Sequence, residues 1–144
     1  MNISVLNKTN AERLSYNDFS SDKVIISIRT PNDEKAVFNS ENSSIKDILY
    51  LSFYDVSTET QDIFKGYPAM TDDDALKIKD FVLKWKDKVD TIIVHCDAGI
   101  SRSAGVAAGI LDGLDQDSSR IFDSNRYLPN SLCYRKTRNA FKIK

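Results

Sequence analysis

The chain of 144 residues carries 20 basic and 21 acidic side chains, so its formal net charge is close to zero. That balance gives no argument for nucleic acid or a membrane surface as a partner, and we expect neither. No apolar run approaches the length of a membrane span, and the first residues lack the charged-then-apolar pattern of a signal peptide, so we expect a cytoplasmic protein.

One composition extends through the whole sequence, which predicts a single domain over residues 1–144 with a hydrophobic core of its own. The two cysteines, Cys96 and Cys133, lie far apart in the sequence and do not form a disulfide framework. A single histidine, His95, beside two scattered cysteines gives no zinc-ligand spacing. We therefore expect neither a metal nor a cofactor.

Short β-branched runs alternate with helical and polar stretches along the first half of the chain. The pattern predicts a strand at 3–6, a helix at 10–16, a strand at 24–28, a polar loop at 29–46, a strand at 48–53 and an irregular stretch at 55–70.

The second half opens on the clearest helix signal, because Thr71 and Asp74 form a capping box. The core face of this helix is predicted to carry Ala75, Ile78, Phe81, Val82 and Trp85. The elements expected after it are a strand at 91–94, a helix at 102–114, a short helix at 117–122 and a last helix that Asn130 caps and that runs to about 141. The small residues Gly105, Ala108 and Gly109 predict that helix 102–114 packs closely on the sheet.

Strands separated by helices indicate an α/β fold with a mainly parallel sheet of four to five strands, covered by helices on both faces. In such folds ligands bind at the carboxyl ends of the central strands. We therefore expect a functional site in the segment that follows the strand at 91–94.

That segment, residues 95–103, has the sequence His-Cys-Asp-Ala-Gly-Ile-Ser-Arg-Ser. Cys96 and Arg102 bracket five residues, a spacing that closes a loop around one tetrahedral anion. We call residues 96–102 the anion loop. Its backbone N–H groups and the start of the following helix would converge on a phosphate, and Arg102 would hold two phosphate oxygens with its planar fork. Gly99 suits a position with positive φ or a close backbone approach.

The same surroundings favour a reactive Cys96, because helix N-termini and neighbouring cations stabilise a thiolate. A cysteine protease would also need a histidine as general base. Successive side chains on a strand point to opposite faces, so His95 cannot easily serve as the base for its neighbour. We expect His95 to form hydrogen bonds within or behind the anion loop and to hold its shape.

His95, Cys96, Gly99, Arg102 and Ser103 resemble the signature of the cysteine-dependent protein tyrosine phosphatases, and the chain looks most like their compact dual-specificity branch and small bacterial relatives. The resemblance implies a dual-specificity-phosphatase-like fold and phosphomonoester hydrolysis through a cysteinyl-phosphate intermediate. It implies Cys96 as nucleophile and Ser103 as the hydroxyl that eases departure of the thiolate. The phosphate-binding residues would be Asp97, Ala98, Gly99, Ile100, Ser101 and Arg102, and phosphate, sulfate or vanadate could occupy the loop.

The resemblance also implies a general acid, an aspartate on a separate loop upstream of the cysteine. Asp55 fits that place best because it directly follows the strand at 48–53. It lies further upstream of Cys96 than is usual in compact relatives, and Asp62 remains the alternative. The stretch 55–70 would either form a wall or lid of the pocket, with Gly66 as a hinge, or tuck onto the core.

Inositol-lipid phosphatases of the superfamily that the chain resembles tend to have lysines in this loop. The anion loop here contains no lysine and one acid, Asp97, so the resemblance disfavours a highly phosphorylated lipid head group. A phosphorylated protein, bearing phosphotyrosine or also phosphoserine and phosphothreonine, is the expected substrate. A phosphatase acting on a non-protein phosphate, such as a nucleotide or an RNA 5′ end, stays open. So does an inactive module that only binds phosphate.

Overall fold

The computed structural model describes residues 1–143, so Lys144, the last residue of the predicted domain, lies outside the described residues. Four strands and five helices follow each other as β1 (Asn2–Asn7), α1 (Lys8–Asn17), β2 (Lys23–Arg29), β3 (Ile45–Ser52), α2 (Asp72–Trp85), β4 (Thr91–Cys96), α3 (Arg102–Gly113), α4 (Ser119–Phe122) and α5 (Ser131–Ala140). Every predicted strand and helix is confirmed, with shifts at the ends. The largest shift is in β3, which begins at residue 45 rather than 48, inside the stretch predicted as loop.

The four strands form one parallel sheet in the order β1-β4-β2-β3, as the predicted fold class requires. β4 is therefore a central strand, hydrogen-bonded on one side to β1 and on the other to β2. All four strands end at the same edge of the sheet. The anion loop leaves β4 at that edge, where parallel sheets bind ligands.

Helices α2, α3 and α5 cover one face of the sheet and enclose the main core. Alternate strand residues point into this core, among them Ile26, Ile28, Ile92 and Val94, all fully buried. Helix α2 begins at the predicted capping box, since Thr71 Oγ1 accepts from the Asp74 N–H and the Asp74 carboxylate accepts from the Thr71 N–H.

The glycines of α3 face a different neighbour from the one predicted. A Cβ atom at Gly105 would lie 2.5 Å from the Asn130 carbonyl oxygen, and one at Gly109 would lie 2.6 Å from Cβ of Thr137. Both contacts are with α5 and its cap rather than with the sheet, so the prediction of glycine packing against the sheet is wrong. The glycines instead let α3 and α5 lie in close contact, which fixes the segment before α5 beside the anion loop.

The opposite face of the sheet is covered by α1 and by the polar segment 30–44. Ile25, Ile93 and His95 lie on this side and are fully buried. Both faces are thus covered, as predicted. No helix within residues 1–143 is long and apolar enough to cross a membrane.

Candidate active site

Cys96 is the last residue of β4 and is only 2% exposed. Its Sγ atom lies 3.1 Å from the hydroxyl oxygen of Ser103, on the first turn of α3. Because Ser103 is itself completely buried, its hydroxyl is held against the sulfur. A hydroxyl in this position can donate a hydrogen bond to a thiolate.

The anion loop turns its carbonyl groups outward. The Asp97 carbonyl accepts from the Lys8 N–H, the Ile100 carbonyl from the Leu128 N–H, and the Ser101 carbonyl from the Asn130 N–H. Within the described residues, the N–H groups of residues 98–101 donate to no protein acceptor. Unpaired N–H groups beside a helix N-terminus form a cradle for an anion.

Gly99 permits this backbone path in two ways. Its φ is +68°, in the left-handed region that L side chains avoid. A Cβ atom on Gly99 would also lie 2.6 Å from the backbone nitrogen of Asn7 and 2.7 Å from the carbonyl carbon of Leu6. The loop therefore rests directly on the backbone at the end of β1.

We expect Gly99→Ala to lower the free energy of unfolding by roughly 3 kcal/mol, because it adds both left-handed strain and a clash with backbone. Urea denaturation of the full chain measures this loss. Gly66→Ala is the matched control: its φ is +89°, but no heavy atom lies within 4 Å of the added Cβ. That control should lose only about 1 kcal/mol. Equal losses in the two variants would contradict the role of the β1 contact.

The Arg102 guanidinium is held by the ends of two strands. Its Nη1 atom donates to the Phe53 carbonyl at 2.7 Å, just after β3, and to the Thr30 hydroxyl at 3.1 Å, just after β2. Nη2 lies 3.6 Å from the carboxylate of Asp97. The arginine side chain is 7% exposed. It is thus fixed before any ligand arrives, and Asp97 places a negative charge at the rim of the loop.

His95 lies behind the anion loop, on the face of the sheet opposite Cys96. Its Nε2 atom is 2.6 Å from the Ser27 hydroxyl on β2, and its Nδ1 atom is 3.3 Å from the Cys96 carbonyl oxygen. A carbonyl only accepts, so this arrangement places the ring hydrogen on Nδ1 and makes Nε2 the acceptor from Ser27. Burial lowers the pKa of His95, which favours the neutral ring.

Asp55 emerges beyond β3 at the same sheet edge as Cys96. Its Oδ1 atom accepts two hydrogen bonds of 2.8 Å, from the Ser101 hydroxyl and from the Asn130 side-chain amide. Oδ2 takes part in neither bond. Asp62, the alternative acid, lies on the exposed turn that follows and does not line the cavity at Cys96.

Most of the expected site residues line one open cavity of about 400 Å³, while Gly99, Ser103 and His95 do not belong to its lining. Its lining consists of Asp55, Cys96, Asp97, Ala98, Ile100, Ser101, Arg102 and Leu128. A buried sulfur, a fixed cation and an aspartate thus surround one space. Such an arrangement can bind the phosphate group of an ester, attack its phosphorus atom and protonate the leaving group.

The second cysteine, Cys133, does not belong to this lining. It is completely buried on α5, and burial raises the pKa of its thiol. Its side chain is a core residue, packed against α3.

No protein-family description and no curated protein matches the sequence. Solved structures do match the fold. PTPMT1 in complex with PI(5)P superposes with a TM-score of 0.59 at 18% identity, covering 98% of this chain and 90% of that one. The human tyrosine phosphatase-like serine/threonine/tyrosine-interacting protein gives 0.59 at 18% identity, over 92% and 83% of the two chains. Tk-PTP in the active form gives 0.53 at 12% identity, over 97% and 87%.

The chain has the fold of the compact, dual-specificity-like tyrosine phosphatases. At these identities the likeness establishes the fold, and the chemistry depends on the residues described above.

Some residues at this site, among them Leu128 in the cavity lining, were not identified as site residues from the sequence. Asn130 was predicted only as a helix cap. Asn130 caps α5 by accepting from the Cys133 N–H, as predicted. Its amide also donates to Asp55 and to the Val56 carbonyl, and its own N–H donates to Ser101. Asn130 is 3% exposed and joins Asp55, the anion loop and α5. A capping signal predicts the bond to Cys133 alone, so only the fold could reveal the others.

Proposed function

We propose that the protein hydrolyses phosphomonoesters through a cysteinyl-phosphate intermediate. One observation carries the proposal: the Cys96 thiol, the Arg102 guanidinium and the unpaired N–H groups of the anion loop surround a single cavity with Asp55 at its margin. Helix N-terminus, cation and N–H groups all favour negative charge at one point. They would hold a phosphate group and stabilise the Cys96 thiolate beneath it.

In the first step the Cys96 thiolate attacks phosphorus, and the bond between phosphorus and the ester oxygen breaks. Asp55 gives its proton to the departing oxygen, which leaves as an alcohol or phenol. The hydrogen bonds from Ser101 and Asn130 both end on Oδ1 of Asp55, so Oδ2 is the atom from which we expect the proton to come. Arg102 and the loop N–H groups stabilise the charge on the equatorial oxygens.

In the second step a water molecule attacks the phosphorus of the intermediate. The Asp55 carboxylate, now charged, takes a proton from this water, and the bond between sulfur and phosphorus breaks to release inorganic phosphate. The electron pair returns to Cys96 as a thiolate. The Ser103 hydroxyl, 3.1 Å from Sγ, would donate a hydrogen bond to the leaving sulfur.

We propose phosphotyrosine in a protein as the substrate, with dual specificity as the wider possibility. Asp97 has a half-exposed side chain at the rim, and its carboxylate lies 3.6 Å from Arg102 Nη2. It adds negative charge where a polyphosphorylated head group would need cations. PTPMT1 has been crystallised with PI(5)P, which makes an inositol lipid the competing substrate class. The lysine-free anion loop supports the protein substrate. Since the reaction needs a free thiolate, we place it in a reducing, cytoplasmic compartment.

Turnover of a small aryl phosphate by the full chain tests the proposed reaction. We expect hydrolysis that a chelator leaves unchanged, because the nucleophile is a thiolate and the cation is Arg102. Rapid acid quenching followed by mass spectrometry should find phosphate on the peptide that contains Cys96. Phosphate on another side chain, or activity abolished by the chelator, would contradict the mechanism. Oxyanion binding without any hydrolysis would favour a phosphate-binding module.

A further inference from the structure

A second cleft adjoins the anion cavity and has been given no part in the reaction. It has a volume of about 230 Å³ and is lined by Tyr54, Asp55, Val56, Phe64 and Tyr67. Asp55 belongs to both cavities. A substrate whose phosphate occupies the anion loop therefore has this cleft beside its leaving group.

The cleft is a built feature of the fold rather than a gap in a loose loop. Tyr67 packs edge-on against both Tyr54 and Phe64, with ring centroids 5.1 and 5.9 Å apart. The Tyr54 N–H donates to the Pro68 carbonyl, which ties the two ends of the segment together. Val56 forms the floor and is 4% exposed. Residues of the stretch 55–70 thus line the adjoining cleft, Asp55 also lines the anion cavity, and Val56 and Met70 are buried in the core.

The same segment is fastened to α5. The hydroxyl of Ser131 donates to the Glu59 carboxylate, and the Thr58 N–H donates to that hydroxyl. Since α5 also carries the Asn130 cap that holds Asp55, the cleft and the acid share one support. The position of the cleft relative to the reacting group is therefore fixed.

Several aromatic and aliphatic side chains around this cleft remain open to solvent. Phe64 is 41% exposed and Tyr67 is 54% exposed. On the other rim of the anion cavity, Ile100 is 41% and Leu128 is 77% exposed. Apolar groups gathered at the mouth of a site indicate a surface that a ligand covers.

We propose that the cleft binds an apolar side chain of a phosphotyrosine peptide, two positions away from the phosphotyrosine. This inference rests on the proposed function and narrows its substrate. In an extended peptide, residues i and i+2 point to the same side, while residue i+1 points away. A phosphotyrosine that enters the anion cavity thus presents its second neighbour to the adjoining cleft.

Size and charge both favour this occupant over a lipid head group. The cleft is smaller than the usual 300–1,000 Å³ of pockets for whole ligands, so it suits one side chain. Among the described residues, its lining holds no basic side chain that could pair with further phosphates. The apolar walls of Val56, Phe64 and Tyr67 match a leucine or phenylalanine side chain.

Three phosphotyrosine peptides of one length test the proposal. The first has leucine at positions −2 and +2, the second has leucine at −1 and +1, and the third has serine at all four positions. We expect kcat/KM to be about tenfold higher for the first peptide than for the other two, since one buried apolar side chain is worth that much. Phe64→Ala and Tyr67→Ala should each remove most of this preference. Both variants should hydrolyse the small aryl phosphate within about twofold of the wild type.

Phe19→Ala is the matched control, because Phe19 is a 56% exposed aromatic side chain before β2, at the other edge of the sheet. The preference of this variant for the first peptide should equal that of the wild type. Equal rates for the three peptides would overturn the proposal. So would a preference that survives Phe64→Ala, or faster hydrolysis of phosphatidylinositol 5-phosphate in vesicles than of any peptide.

Binding of the labelled peptides to Cys96→Ser, measured by fluorescence anisotropy, separates this inference from the proposed reaction. Selective binding of the first peptide without turnover by the wild type would uphold the cleft and contradict hydrolysis. Turnover by the wild type without selective binding of the first peptide would uphold hydrolysis and contradict the cleft.

Discussion

Cys96→Ser is expected to reduce turnover of an aryl phosphate by at least about 10⁴-fold, the scale of loss when a covalent nucleophile is removed. A serine hydroxyl at this position would stay protonated at neutral pH. His95 could not activate it, because the ring lies on the other face of the sheet and is hydrogen-bonded to Ser27. The measurement is initial-rate hydrolysis by the purified full chain.

The same variant should still bind a phosphate-like oxyanion, since Arg102 and the loop N–H groups are unchanged. Calorimetric titration with tungstate measures this binding. Cys133→Ser is the matched control: its side chain is buried on α5 and outside the cavity, so the rate should stay near that of the wild type in the folded fraction. Hydrolysis that survives Cys96→Ser, or is lost only in Cys133→Ser, would assign the nucleophile elsewhere.

Asp55→Asn is expected to lower kcat about 10²-fold for phenyl phosphate, a substrate whose leaving oxygen needs a proton. Asparagine keeps an oxygen that can accept from Ser101 and Asn130, so the substitution removes the proton and preserves the geometry. The loss should shrink as the leaving phenol becomes more acidic. A series of substituted aryl phosphates measures this dependence.

Asp62→Asn serves as the control for Asp55→Asn, because Asp62 lies on the exposed turn outside the cavity. It should leave both kcat and the dependence on the leaving group unchanged. If Asp62→Asn reproduces the expected behaviour and Asp55→Asn does not, the acid has been assigned to the wrong residue.

The anion loop could be read from the sequence because its geometry is local. One five-residue loop separates Cys96 from Arg102, and the strand and helix on either side have clear signals of their own. The orientation of His95 also followed from the sequence, since alternation along a strand is a property of any β backbone. These predictions needed no knowledge of distant contacts.

Contacts between distant segments could not be predicted in this way. Asp55 is held by Asn130, a residue 75 positions later, and no periodicity connects the two. The predicted packing partner of the α3 glycines was wrong for a similar reason. Small residues permit a close approach but do not indicate which element approaches. Predicting the aromatic cleft at 54–67 would have required the positions of both the sheet edge and α5.

The bonds of Asn130 also bear on the timing of the proposed reaction. An aspartate that is already hydrogen-bonded to the anion loop and to the start of α5 does not have to swing in when substrate arrives. For the proposed reaction we therefore expect Asp55 to be in place before substrate binds, without a lid closure on the microsecond-to-millisecond scale. The rate of the proposed reaction would then be governed by bond making at phosphorus or by escape of phosphate. The arrangement of charges around the cavity would be established when the protein folds rather than each time a substrate binds.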